Sequence, residues 1–427
     1  MSQNLQNYMK SQADQGYFNG AVLVAEKGEI LLSEGYGYAS FQYEVPVTSK
    51  TKFRIGSLSK AFTAVAILKL VEDDKLALTD TVDLFLPDFR FGHQITVHHL
   101  LSHTSGIADF TSSPDYWNKS MRLPSTLEQV LDSFKDVPLD FEPGERMEYC
   151  NAGYLVLTAI IEKITGNSYA KLLTDTIFHP LGMIDTGVDD GRTIIPDLAT
   201  GHTLNKTIIH TEFIDMSFPL GAYGLYSTVE DLFKWGQALR NGDILRKELI
   251  DQMFTPNLDG YGYGWFVLDK PEKVARHSGD INGYVSDFYL FVEKDVTIIV
   301  LSNFNLTPVE KISDDLSRIV FGKGIKPMVI PHKVEQKIDT SPLIGEYENE
   351  NMQLTIHRNH GGSLFLTAPK KYGVPYMYPI NLVKVENAQM IYQAEFLYET
   401  LTFDLGDTEI KLLYADNYGR EHNFMKK

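Results

Sequence analysis

One stretch narrows the folds open to this chain more than any other: Ala61-Phe-Thr-Ala-Val-Ala-Ile-Leu-Lys-Leu-Val71, in which apolar residues run almost without interruption. The run is longer than an ordinary strand, and wound as a helix it is apolar around most of its circumference. A helix of that kind needs cover on every side. The chain is therefore predicted to wrap other elements around a buried central helix, which requires several layers.

Candidates for those layers follow from local pattern. A short N-terminal helix precedes two β-rich runs, Phe18–Ala25 and Ile30–Gly37, joined by the polar Glu26-Lys-Gly-Glu29 as in a hairpin. Helical patterning returns over Leu127–Phe134, Tyr154–Ile164 before Gly166, Tyr169–Ile177, and Val229–Leu239 closed by Asn241-Gly242. Strand patterning occupies Gly264–Leu268, Val285–Glu293 and Val296–Ser302, and Ile312–Phe321 reads as a closing helix. Residues 1–322 thus form an α+β unit in which helices flank a largely antiparallel sheet. The segment 323–342, polar and broken by Gly and Pro, is read as a linker. Beyond it, residues 343–427 carry short β-rich runs (Gln353–His357, Ser363–Thr367, Leu382–Val385, Gln389–Gln393, Thr400–Leu405, Ile410–Tyr414, His422–Met425) punctuated by Asn, Gly and Asp. That is the pattern of a small all-β barrel or sandwich.

Composition limits the partners. With 427 residues, 43% hydrophobic and 22% charged, the chain has ordinary globular usage and material for more than one core. A formal net charge of -17 opposes both nucleic acid and anionic membranes. Cys150 is the only cysteine, so no intrachain disulfide forms, and neither C-x-x-C nor H-E-x-x-H spacing occurs. His98, His99 and His103 lack a credible set of metal partners, and neither metal nor cofactor is expected. No apolar run reaches the ~18 residues of a membrane span, and Met1–Lys10 has neither a basic start nor an apolar stretch. A soluble chain without a membrane anchor is expected, leaning toward the cytoplasm while leaving a trimmed secreted form open. Its partner would be a small-molecule or peptide substrate, and nothing in the sequence opposes a homo-oligomer.

Directly ahead of the central helix stands Ser57-Leu-Ser-Lys60. At a helix start this S-x-x-K spacing places a hydroxyl and an amine one turn apart on one face. Burial and the positive end of the helix dipole both lower a lysine pKa, so Lys60 can take a proton from Ser57. The same end offers the Ser57 N–H to an oxyanion. An S-x-x-K arises roughly once or twice by chance in such a chain, and Ser49-Lys-Thr-Lys52 is a second instance, without an apolar helix behind it. A serine at a helix start also serves as a plain cap. Tyr149-Cys-Asn151 offers a phenol for proton transfer and an amide to hold a substrate carbonyl, although Tyr116-Trp-Asn118 and Tyr347-Glu-Asn349 share the pattern. His277-Ser-Gly279 leads into a strand-like stretch through Asp280, with Gly279 permitting close backbone approach; His360-Gly-Gly362 is its rival. Tyrosines and histidines in such places more often pack than catalyse. Cys150 reads as a small buried hydrophobe.

Taken in order, Ser57-x-x-Lys60, Tyr149-x-Asn151 and His277-x-Gly279 resemble the three active-site motifs of class C β-lactamases and related penicillin-binding proteins. Leu100-Leu-Ser-His-Thr-Ser-Gly-Ile107, Phe141-Glu-Pro-Gly-Glu145, Asn151-Ala-Gly-Tyr154, His179-Pro-Leu-Gly-Met183 and Gly224-Leu-Tyr-Ser-Thr-Val-Glu-Asp-Leu232 look like the same family, so the resemblance spans about residues 15–320. It implies an antiparallel sheet flanked by helices, a helical lobe, and a nucleophile between them. The C-terminal part resembles the lipocalin-like barrel of some soluble members. The resemblance further implies that Ser57 is acylated and that Lys60 and Tyr149 manage protons, in an order left open. Asn151 would orient substrate, the N–H groups of Ser57 and Asp280 would form the oxyanion hole beside His277 and Gly279, and water would release the acyl group.

One departure from the family pattern bears on substrate. β-Lactamases generally carry Lys-Thr-Gly where this chain has His277-Ser-Gly279, and histidine is charged only part of the time near neutrality. Esters, amides and D-amino-acid-containing peptides are therefore expected ahead of efficient β-lactam hydrolysis, with penicillin binding or slow hydrolysis as a side activity. The alternatives are a cell-wall D-alanine carboxypeptidase or esterase and, in another class, a non-catalytic sensor that uses the β domain as its ligand module. Selectivity is expected from loops such as Asp109–Pro124 and Thr203–Tyr223.

Overall fold

In the computed structural model, which describes every residue except 270–271, 326–333, 335–337, 372–373, 387–388, 407–409 and 418, the apolar run forms the helix Ser59–Glu72. Its residues from Ser59 to Leu68 are all buried. Phe62 stacks on Trp235 at 4.3 Å and meets Phe178 edge-on at 5.8 Å, so the helix Val229–Asn241 and the turn Thr174–Phe178 cover one flank. The helix Asn151–Thr165, buried from Ala152 to Ile161, joins the same core.

Behind this helical layer lies a six-stranded antiparallel sheet. Its order is Phe266–Leu268, Val274–Ile281, Tyr284–Phe291, Val296–Ser302, Gly20–Glu26 and Glu29–Tyr36. Side chains alternate between two cores, as the pleat requires. Ala21, Leu23 and Ala25 face the central helix, whereas Val22 and Val24 face the helices Ser2–Asp14 and Val309–Val320 on the far side. Covered on both faces, Val296–Ser302 is buried throughout.

The C-terminal strands Gly345–Glu348, Gln353–Arg358, Leu364–Lys371, Val374–Glu386, Gln389–Ala394, Thr400–Leu405, Ile410–Ala415 and Glu421–Lys426 each pair antiparallel with the next. The first then pairs with the last, closing a barrel. Tyr347, Leu366, Tyr378, Leu401 and Phe403 are among the side chains that fill it. Sequence pattern missed the opening strand and reduced Val374–Glu386 to Leu382–Val385, because Pro375 and Pro379 break a strand signal. The centre of the linker read at 323–342 falls outside the described residues.

A second difference ties the two parts together. The segment read as a loop over Thr203–Tyr223 contains a hairpin, His202–Asn205 with Thr207–His210, and a helical turn, Leu220–Tyr223. No glycine marks the hairpin turn, where Lys206 takes a left-handed φ of 63°. The hairpin lies beside the barrel strand Val374–Glu386, with Asn205 opposite Met377 in parallel register. Elsewhere the barrel docks through Tyr17, which stacks on Tyr398 at 4.5 Å and accepts a hydrogen bond from Gln393 Nε2 at 3.1 Å. Among the described residues no helix is long and apolar enough to cross a membrane.

Candidate active site

Ser57 stands in a single 3₁₀ turn, Gly56–Leu58, just ahead of the central helix rather than in its first α-turn. The turn is fastened from several sides. Ser59 Oγ donates to Gly56 O at 2.7 Å and accepts from Leu225 N–H at 3.1 Å, while Ser286 Oγ donates to Ile55 O at 2.8 Å. The strand Val274–Ile281 presses against it. A Cβ on Gly279 would sit 2.0 Å from Ile55 O, and one on Gly56 would sit 2.6 Å from Asp280 N. Only bare backbone fits at either position, and Gly56 also holds a left-handed φ of 53°. The main chain of Asp280 is thereby held against the nucleophile turn.

Lys60, one helical turn on, is fully buried. Its Nζ donates to Asn151 Oδ1 at 2.8 Å and to Ala222 O at 2.9 Å, and lies 3.2 Å from Ser57 Oγ. Burial pulls its pKa down to about 7, against the opposing pull of the Asp109 carboxylate. Asn151 is committed on its other side as well, since Nδ2 donates to Asp109 Oδ2 at 3.3 Å and to Thr111 Oγ1 at 3.1 Å.

An aromatic cage surrounds the amine. Lys60 Nζ lies 4.6 Å from the Tyr149 ring centre and 5.5 Å from that of Tyr154, a setting that favours a transient ammonium. The Tyr149 hydroxyl is buried and makes no hydrogen bond of regular geometry among the described residues. Burial raises its pKa well above the ordinary phenol range, with the nearby Ser57 side chain pulling the other way. His103 packs on Tyr149, ring centres 4.3 Å apart, and accepts from Cys150 N–H at 3.1 Å. His277 Nδ1 donates to Ser278 O at 2.6 Å, which leaves Nε2 to accept from Tyr261 OH at 3.1 Å. Burial first, then the charge of Lys60, push the His277 pKa down to about 3. The expected partial charge on this histidine near neutrality is therefore corrected: a buried imidazole with both nitrogens engaged stays neutral.

Beside Ser57 opens a cavity of about 170 Å³ lined by Thr111, Tyr116, Trp117, Asn151, Ile214, Tyr223, Asp280, Ile281 and Asn282. Asp280 is the one charged side chain among these lining residues.

The Beta-lactamase family profile matches residues 1–321. The chain belongs to that family. Penicillin-binding protein 4* of Bacillus subtilis (strain 168) is 31% identical over 401 residues, 83% of this chain and 87% of that protein. The octameric penicillin-binding protein homologue from Pyrococcus abyssi superposes with a TM-score of 0.68 at 26% identity, covering 99% of both chains. D-amino acid amidase from Ochrobactrum anthropi SV3 superposes with a TM-score of 0.66 at 26% identity over 75% of this chain and 99% of that one. With these relatives the chain is a serine hydrolase.

Ser57, Lys60, Tyr149, Asn151, His277, Gly279 and Asp280 thus gather at one place, whereas their sequence rivals scatter. Ser49 Oγ donates to Glu230 at 2.7 Å and Lys52 pairs with Asp185 at 3.0 Å. Tyr347 is buried in the barrel and donates to Leu343 O at 2.8 Å, and His360 sits exposed in a turn. Tyr116 joins the site by another route, lining the cavity with its hydroxyl 2.9 Å from that of Tyr223. Sequence reasoning met Asp109 and Thr111 only as part of a selectivity loop and His103 only as a metal-ligand candidate, and did not single out Tyr261. Asp109 caps, and Thr111 lies within, the short turn Phe110–Ser112 that follows Leu100–Ile107, but nothing local announces that they hold Asn151.

Proposed function

We propose that this hydrolase cleaves esters, amides and D-amino-acid-containing peptides through an acyl-enzyme on Ser57, preferring acyl donors without a carboxylate beside the scissile bond. The bonding of Lys60 carries the reading. A neutral amine has two hydrogens and one lone pair; Asn151 Oδ1 and Ala222 O take the hydrogens, leaving the lone pair for the Ser57 hydroxyl 3.2 Å away. With its pKa near 7, Lys60 is available as base at neutral pH. Tyr149, shifted the opposite way, remains a protonated phenol and is a donor rather than the first base.

In this mechanism Ser57 Oγ attacks the carbonyl as its proton passes to Lys60 Nζ, and the N–H groups of Ser57 and Asp280 receive the oxyanion. The bond to the leaving group then breaks while Lys60, directly or through Tyr149, returns the proton to it. Water attacks the acyl carbon next and gives a proton to Lys60; the bond to Ser57 Oγ then breaks as Lys60 returns that proton to it, which regenerates the free hydroxyl and releases the acid product. Asn151 acts as a positioning residue for Lys60; it reaches substrate only by giving up Asp109 or Thr111.

Charge favours the substrate preference. A neutral His277 and a cavity lining without a lysine or arginine among the described residues offer no fixed cation to a penicillin carboxylate. The D-amino acid amidase relative points to the same chemistry, and the octameric homologue supports self-association. Ser57→Ala tests the reading: turnover of an activated ester is expected to fall by at least ~10³-fold with the fold intact, and the acyl adduct seen by intact mass in the parent is expected to vanish. Unchanged turnover would sink the proposal.

A further inference from the structure

We propose that the C-terminal barrel determines which acyl donors Ser57 accepts, by holding the 211–218 wall of the cavity through the His202–His210 hairpin. This rests on the hydrolase reading above. A two-stranded hairpin with four residues in each strand is marginal by itself. Here its turn is tied to the barrel: Lys206 N–H donates to Met377 O at 2.6 Å, beside the pairing of Asn205 with Met377. Leu204 is fully buried in the barrel's core cluster, together with Phe304 and Leu306, and Ile208 packs against the same cluster.

From the hairpin the chain runs straight into the site. Glu212 O accepts from Asn282 Nδ2 at 2.9 Å, and the Glu212 carboxylate pairs with Arg122 at 2.6 Å. Arg122 in turn donates to Trp117 O at 2.6 Å. Asn282, Trp117 and Ile214 all line the cavity, so three of its walls meet at Glu212. Further along, Asp215 N–H donates to Met121 O at 2.9 Å and Ser217 Oγ accepts from Ser125 N–H at 2.9 Å. Ile214 is 4% exposed, while Phe213 beside it is 64% exposed. Through Ile214 the segment therefore presents an apolar inner wall to whatever extends from the acyl carbon. Among the described residues the barrel supplies none to the cavity lining; its part is to fix the hairpin from which this wall is hung.

The full chain carrying Leu204→Ala, and the milder Ile208→Ala, test the coupling with two readouts. Hydrogen exchange over 203–218 is expected to quicken by about tenfold in Leu204→Ala while the central strand Val296–Ser302 is unchanged. With p-nitrophenyl acetate and p-nitrophenyl hexanoate as probes, the KM ratio of the two esters is expected to move by about fivefold, with kcat on the acetate within about twofold. Ile208→Ala should shift both readouts in the same direction by less, and Ile214→Ala should shift the ratio directly. Exchange that quickens equally throughout the chain, or a ratio unmoved in both hairpin variants, overturns the proposal. Ester turnover surviving Ser57→Ala would instead overturn the hydrolase reading, whatever the exchange result.

Discussion

Replacing Lys60 by methionine is expected to abolish turnover and to alter stability in a way that depends on pH. In the folded protein Lys60 titrates at about 7, against 10.5 in an exposed chain. Holding it protonated inside the protein therefore costs about 5 kcal/mol, at roughly 1.4 kcal/mol per unit. Between those two pH values the unfolded chain binds one more proton than the folded one. Parent stability consequently climbs with pH across this window, and below about 7 the full penalty is present. Lys60→Met has no such dependence. It does strand the acceptors Asn151 Oδ1 and Ala222 O, at about 1–3 kcal/mol each, but that loss is constant over the same range. The stability of the variant relative to the parent should thus fall by about 3 kcal/mol between pH 7 and 9.5. Urea titrations followed by tryptophan fluorescence measure this cleanly, because Trp117, Trp235 and Trp265 all lie outside the barrel. Parallel stability-against-pH curves for the two proteins would refute the argument that Lys60 is a buried, readily neutralised amine.

Two more outcomes are expected. On an activated ester, kcat/KM should rise with unit slope as Lys60 loses its proton and level off above about 7; His277, near 3, should add no break between pH 5 and 9. A break near 10 would contradict the shifted lysine. In Gly279→Ala the new methyl must displace Ile55 O from 2.0 Å, which moves the strand off the nucleophile turn. Turnover is expected to fall by about 100-fold and thermal stability with it, and normal kinetics would show the turn-to-strand contact to be unimportant.

The sequence was most legible where a feature is local. Ser57 and Lys60 are three residues apart, so one helical turn is enough to set their geometry, and the apolar run behind them could only be a buried helix. Tyr149, Asn151, His277, Gly279 and Asp280 were reached through their order along the chain, not through spacing. What escaped was the long-range bonding. Asp109 reaches Asn151 across 42 positions, and the carbonyl that receives a Lys60 hydrogen belongs to Ala222, a backbone group with no sequence signature. The neutrality of His277 was equally hidden, since it follows from burial against Lys60 and from Tyr261, a tyrosine on another segment. The hairpin at His202–His210 failed to register because its strands are short, its turn lacks glycine, and its pairing partner is supplied far downstream.

The position of Gly20–Glu26 inside the central sheet has a consequence for biosynthesis. That strand is made early, yet one of its two neighbours is Val296–Ser302, with Glu26 opposite Val296. A nascent chain growing at ~5–20 residues per second leaves the ribosome with this apolar strand unpaired on one edge for roughly 15–50 s. Completion of the sheet against which the nucleophile turn is packed is thus postponed until Val296–Ser302 has emerged and paired with the waiting strand.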